Sequence, residues 1–380
     1  MKKILLLVAI LLSTLDSSYS LSKRAKQAID AIKEIDDIIE ERYINDIDHK
    51  VYLDNLLYGS FEALDDNSAY INKSQYKDIS DWLLGSFGGI GVDIKNSDMG
   101  LEVKHSHPEF SAYKAGIRNG DIVTKIDGIS IVNKDISDAV NLIRGKIGTY
   151  VDITYTRKGK EYTKKVERIE VSPPTVTSDI TNNIIKIKIR DFNEKTIPLF
   201  EDAMNRYKYI INLKGIIIDL RDNGGGLLDQ SVELSSLFLP LGKKIIDIKG
   251  KSKTDNQSYL SNRDNLEYKF LKEVPLVLIV NGESASASEI FAAAIKDNKR
   301  GVVIGQKTYG KGSIQEIIPL NSIKDAGIKI TTAKYYTPHG ICIDKIGISP
   351  NVLVKNNMNP LNIAISLINN KKSYELVLSK

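Results

Sequence analysis

The hydrophobic pattern changes character along the chain. From Ser22 to about Tyr43, Ala25, Ala28, Ile32, Ile35 and Ile39 recur at steps of three and four, with Lys, Glu and Asp between them. That spacing predicts an amphipathic helix. A second helical stretch runs from Val51 to Leu64 and breaks at Asp65-Asp66-Asn67-Ser68. Between Gly85 and about Val171 apolar and polar residues alternate instead, in 88–94, Gly100-Leu-Glu-Val-Lys, Asp121-Ile-Val-Thr-Lys-Ile and Val151-Asp-Ile-Thr-Tyr-Thr. These read as half-buried strands, with a tight turn at Asp127-Gly128 and a helix from about Lys134 to Ile143. Pro173-Pro174 ends the region, since neither residue can continue a ladder. Longer apolar runs follow: Gly215-Ile-Ile-Ile-Asp-Leu, Pro275-Leu-Val-Leu-Ile-Val and Gly301-Val-Val-Ile-Gly. Helical stretches, Leu227 to Leu237 and Ser288 to Asn298, lie between these strands, so the expected core is α/β. Beyond Val354 one weak helix is expected around Leu361 to Ile368.

The resulting division is 1–20, 21–80 (N-terminal helical), 81–171 (β-rich insert), 172–355 (α/β core, a mixed sheet with packed helices) and 356–380 (C-terminal tail). Residues 1–20 begin with Lys2 and Lys3, run apolar from Ile4 to Leu12, and end with Ser18 and Ser20. That is the pattern of a cleaved secretory signal peptide. The apolar run is too short for a membrane span, which needs about 20 residues. Export to a periplasm, soluble or peripheral to the membrane, is the expected location. Cys342 is the only cysteine, so no intrachain disulfide can form. The net charge of +5 is mild and the cations are interspersed with acids, which argues against a nucleic-acid partner. His105 and His107 on a strand would share a face, but no further ligand accompanies them and no metal is expected.

The chemistry concentrates between Asn281 and Gln315. A buried strand ends at Asn281-Gly282, and Ser284-Ala-Ser-Ala-Ser288 leads into an Ala-rich helix. A serine at such a turn lies beside the helix's unpaired N–H groups, which favour an oxyanion. The same serines also suit helix capping, with Ser288 and Glu289 as the expected cap pair. Lys311, after the next strand and between Gly310 and Gly312, is placed to act as a base once burial lowers its pKa, or to be a solvated turn lysine. Gly305-x4-Gly310-Lys311 imitates a P-loop, but Gly312 stands where Ser or Thr is required and a strand follows, so no nucleotide or other cofactor is expected.

The run Asn281 to Ile290, with Gly310-Lys311-Gly312-Ser313-Ile314-Gln315, resembles the C-terminal processing peptidases, also called tail-specific proteases. The resemblance implies that Ser286 is the nucleophile, that Lys311, 25 positions later, is its base, and that Gln315 orients the lysine. Asp297 matches an acid implicated in some members. Asp219 to Leu228 is similar to the family's oxyanion segment, implying the N–H groups of Gly225 and Ala287 as donors; Gly224 replaces the usual proline. Tyr336-Thr-Pro-His-Gly340 and Gly347-Ile-Ser-Pro-Asn-Val resemble the closing motifs of the same core. The resemblance spans about Leu56 to Val354. Leu64-Asp65-Asp66-Asn67-Ser68 departs from the family's Asp-Pro-His-Ser, a departure expected to affect a connector rather than the chemistry.

Within 81–171, Gly88-Gly89-Ile90-Gly91 resembles the carboxylate-binding loop of PDZ modules, so Gly89, Ile90 and Gly91 are expected to hold a substrate C-terminus. Ala115 to Asp121 with Ile126-Asp127-Gly128 matches their central turn and strand, and Arg144 resembles a residue coupling that module to the protease. The implied activity is an exported serine endopeptidase that takes protein or peptide C-termini on its PDZ domain. A non-catalytic tail-binding adaptor is the alternative, an acyl transferase using the same dyad a weaker one. A homodimer through the helix at 22–43 stays open beside packing of that helix on its own body.

Overall fold

In the computed structural model, residues 22–379 are described, except 133, 135, 173, 264–266 and 356. The expected signal peptide, residues 1–20, lies outside the described residues. No helix among the described residues is long and apolar enough to cross a membrane.

Residues 22–60 form one unit. It holds the helices Lys23–Arg42 and His49–Gly59, N-capped by the side chains of Ser22 and Asp48. Neither helix buries a residue, and Ile29, Ile32, Ile35 and Ile38 stay exposed along the first.

Phe61 onward forms the second unit. Its central sheet runs in the order Val176–Thr181, Ile184–Ile189, Gly215–Asp219, Leu276–Val280, Val302–Gly305 and Val352–Leu353. The first pair is antiparallel and the remaining neighbours are parallel. Strands buried on both faces need layers on both sides, which explains their continuous Ile/Val/Leu runs. One face packs against the helices Thr196–Tyr207, Leu228–Phe238 and Ala287–Asp297, through residues such as Phe200, Phe238 and Phe291. The other is covered by Pro360–Asn369 and Lys371–Ser379, which bury Ala364, Ile368 and Tyr374. The segment expected as a tail with one weak helix is therefore two helices of the outer layer. Tyr374 joins that layer to the sheet, its hydroxyl accepting from Leu276 N–H at 2.9 Å and donating to Leu276 C=O at 3.1 Å.

A second sheet, all antiparallel, contains Ala69–Ile71, Gly327–Tyr336, Lys244–Gly250 and Gln257–Leu260, with Ser313–Pro319 paired to Gly327–Tyr336. Ala69–Ile71, placed by sequence in the N-terminal helical region, thus belongs to a sheet that flanks the central one. The β-rich insert has its own core of Leu101, Val103, Ile117, Ile126 and Ile153. The chain enters it along Phe87–Gly89 and leaves along Ile169–Val171, two strands that pair with each other. Its sheet order is Val92–Ser97, Gly100–Ser106, Ile122–Ile126, Tyr150–Arg157, Lys160–Glu167, so Val92–Ser97 is an edge strand.

Candidate active site

Three adjacent parallel strands build the site at their carboxyl ends, where open α/β sheets commonly bind ligands. Gly215–Asp219 leads into the loop of Asn223 and Gly225, Leu276–Val280 into the turn of Ser286, and Val302–Gly305 into the loop of Lys311. Ala285 N–H donates to Asn223 C=O at 3.0 Å, and Tyr309 N–H to Ser284 C=O at 3.1 Å, so neighbouring loops hold one another.

The alternating serines separate by environment. Ser284 and Ser288 are fully buried, their hydroxyls donating to Leu220 C=O at 2.8 Å and to Asn223 C=O at 3.0 Å. Ser286 alone of the three lines a cavity of about 600 Å³. Its backbone, φ 53° and ψ −115°, is an unusual conformation for a residue with a side chain, as found where a sharp turn projects a nucleophile. It is also the N-cap of the helix Ala287–Asp297. Ser288 is therefore not the cap: the capping pair is Ser286 with Glu289, the S-x-x-E spacing beginning two residues earlier than expected.

Glu289 has a larger role than capping. Its carboxylate is 0% exposed and accepts from Ser286 N–H (2.9 Å), Thr308 Oγ1 (2.6 Å), Gly310 N–H (2.7 Å) and Lys311 N–H (2.9 Å). One side chain thus fixes the backbones of both Ser286 and Lys311. Desolvation pushes its pKa up, and those donors oppose the rise without cancelling it. Tyr335, 2% exposed, adds a second tie: its hydroxyl donates to Lys311 C=O and lies 3.4 Å from Ser286 C=O. The Ser-x-x-Glu spacing was the one available signal for Glu289, and nothing local marks Tyr335.

Lys311 lines the same cavity as Ser286. Burial holds its pKa below the ordinary 10.5; the charge of Lys329 pushes the same way, and Glu289 opposes both. The cavity wall is otherwise largely apolar, with Ile79, Trp82, Leu83, Leu227, Ile290 and Ile314. No hydrogen bond joins the Ser286 hydroxyl to Lys311 among the described residues, and such contacts often tighten only with substrate bound.

Gly225 packs directly on the serine turn. A Cβ there would lie 2.7 Å from both Ala285 O and Ser286 Cβ, and φ is +103°, so only glycine fits. Its N–H donates to Asn223 Oδ1 at 2.9 Å, so in the resting site this expected oxyanion donor is occupied. Ala287 opens the helix, where amides lack intrahelical partners. Gln315 also lines the cavity, with its Nε2 donating to Ser313 Oγ at 2.8 Å and Thr331 Oγ1 at 3.1 Å.

Asp297 does not join them. It sits at the opposite end of the helix that Ser286 begins, about 16 Å along the axis at ~1.5 Å per residue. Its carboxylate accepts from His339 N–H at 3.1 Å, an anchor for the 337–340 turn. Arg144 stands at the base of the insert, its guanidinium 4.2 Å from the Phe87 ring centre. It lines a small cavity with Trp82, whose indole also walls the main one. Ile90 is buried, and Gly91, with φ +77° and Phe110 against it, leads directly into the edge strand Val92–Ser97.

Known proteins share this architecture. Peptidase family S41 matches residues 183–354, and the PDZ domain matches residues 102–157. A carboxy-terminal-processing protease of Bartonella bacilliformis is 34% identical over 322 residues, covering 83% of this chain and 73% of that protein. A probable CtpA-like serine protease of Staphylococcus haemolyticus is 32% identical over 316 residues, covering 83% of this chain and 62% of that protein. Among solved structures, a photosystem II D1 C-terminal processing protease aligns with a TM-score of 0.52 and 25% identity, covering 90% of this chain and 92% of that one. A shared α/β core, the PDZ insert and a relative at this identity place the chain: it belongs to peptidase family S41, as a serine-type carboxy-terminal-processing protease.

Proposed function

We propose that this chain is an exported endopeptidase that takes protein C-termini on its PDZ domain and cleaves near them with a Ser286–Lys311 dyad. The observation that carries the reading is the pair itself: Ser286 and a half-buried Lys311 on one apolar cavity, both backbones tied to Glu289. Neutral Lys311 takes the Ser286 proton as the serine oxygen attacks the scissile carbonyl. The resulting oxyanion is held by Ala287 N–H and by Gly225 N–H, the latter exchanging from Asn223. Lys311 then protonates the leaving amine, and water hydrolyses the acyl-enzyme to release the acid and restore the serine.

The apolar cavity suits substrates with aliphatic or aromatic side chains near the cut. Substrate tails would add as a strand to the open edge of Val92–Ser97, with the terminal carboxylate at the Gly89-Ile90-Gly91 amides. Arg144 would transmit tail binding through Phe87 and Trp82 to the cavity wall. Export to the periplasm rests on the pattern of residues 1–20.

An unfolded polypeptide offered with a free or an amidated C-terminus tests the tail requirement. Loss of charge-assisted hydrogen bonds costs about 1.5–3 kcal/mol, so amidation is expected to raise KM roughly tenfold or more. Equal KM for the two forms would remove the PDZ domain from substrate capture. Binding of the free tail without any cleavage would favour the adaptor reading.

A further inference from the structure

Asp65 belongs to the segment expected to be a connector, yet its hydrogen bonds run straight into the site. Its Oδ1 accepts from Thr331 Oγ1 at 3.0 Å and from Asn67 N–H at 2.9 Å, and its Oδ2 from Ser68 Oγ at 3.2 Å. Ser68 Oγ in turn accepts from Thr331 N–H at 3.0 Å. Two features of the second sheet bring these groups together. Ala69 pairs with Lys329, which sets the 65–68 loop beside Thr331. A register shift after Ile314 then places Gln315 opposite Thr331, the kind of bulge that re-aims a side chain.

We propose that Asp65 is a positioning residue: acting through Thr331, it fixes which end of the Gln315 amide faces Lys311. A carboxylate can only accept hydrogen bonds, whereas a threonine hydroxyl has one proton and spare lone pairs. With that proton committed to Asp65, Thr331 Oγ1 can only accept from Gln315, so Nε2 must point at it. Ser313 Oγ takes the second Nε2 proton at 2.8 Å. The carbonyl end, Oε1, is thereby left for the cavity that Gln315 and Lys311 share. A neutral lysine has two N–H donors and one lone pair. Oε1 can hold an N–H and leave the lone pair for Ser286, whereas a reversed amide would aim an N–H at that lone pair and block the base. Asp65 stays ionised, and so remains purely an acceptor, because the bonds from Asn67, Thr331 and Ser68 outweigh the desolvation that raises its pKa and hold it below 3.8.

The inference rests on the Ser286–Lys311 reading and is tested beside it in the full chain. Asp65→Asn supplies a donor that lets Thr331 reverse, so kcat is expected to fall about tenfold or more with KM unchanged. Thr331→Val should fall likewise, and Thr331→Ser, which keeps the hydroxyl, should retain wild-type kcat and so exclude misfolding. In the double variant with Gln315→Ala, Asp65→Asn should add no further loss, because both act through one amide. Wild-type kcat in Asp65→Asn, no effect of Gln315→Ala, or losses that multiply in the double variant would each overturn the inference, provided Ser286→Ala is inactive. Cleavage by Ser286→Ala would instead overturn the dyad reading, and this inference with it.

Discussion

Replacing Lys311 with alanine is expected to lower kcat by roughly a thousandfold or more while KM stays within a few-fold, since a positioned general base contributes about 10²–10⁴ and holds no substrate. Lys311 can accept the serine proton only when neutral. Burial and the charge of Lys329 both disfavour its ammonium form, and the Glu289 carboxylate acts the other way, for a net pKa below 10.5. With Lys311 as the base, the free enzyme is expected to gain activity as pH rises through this lowered pKa, on an acid limb that begins below where an ordinary lysine would titrate. Lys329→Ala removes a repelling charge, so Lys311 should hold its proton to higher pH and the limb should move to the alkaline side. Profiles of kcat/KM against pH for the wild type, Lys311→Ala and Lys329→Ala measure this. An unmoved limb in Lys329→Ala, or a Lys311→Ala enzyme with a normal kcat, would count against Lys311 as base.

Glu289→Gln should damage both folding stability and activity. The carboxylate receives four donors, two on each oxygen. A glutamine amide can accept on one oxygen only, and it turns its own N–H groups toward the other pair of donors. Two buried donors left unpaired cost about 1–3 kcal/mol each, a large share of the roughly 5–15 kcal/mol that typically stabilises a domain. Both the Ser286 turn and the Lys311 loop would lose their common anchor, so kcat should fall with the urea midpoint. Thr308→Val removes one donor from the carboxylate and the acceptor of Ile348 N–H (2.6 Å), orphaning one buried N–H rather than two, and should cost less on both measures. A Glu289→Gln protein with wild-type stability would show that the anchor is dispensable.

These expectations depend on contacts of very different sequence range. Element types were legible because they follow from period: the buried strands at 215–219, 276–280 and 302–305 announce themselves as apolar runs, and the parallel order follows from the helices between them. The helix at 287–297 is legible too, but it starts behind Ser286 rather than at Ser288. Three equivalent serines offer three caps, and the choice is made by Glu289, whose partners at 308–311 come from the next loop. Asp297 matched a family position, yet the rise of its helix carries it away from the cavity. The segment 356–380 reads as a weak helix in isolation because its stability comes from covering the sheet, as Tyr374 and Ile368 do. Most hidden was the 65–68 loop. Its bonds to Thr331 and Ser313 cross 266 and 246 residues, separations at which no local pattern carries a signal.

Ser286 itself is open to direct measurement. The full-length protein is treated with a fluorophosphonate that phosphonylates activated serines, digested, and the adduct mapped by mass spectrometry, in parallel with cleavage of an unfolded substrate. The expected result is a single adduct on Ser286, slowed in Lys311→Ala, with neither label nor cleavage in Ser286→Ala. A label on another serine, or cleavage by Ser286→Ala at the wild-type rate, would contradict the assignment of Ser286 as the nucleophile.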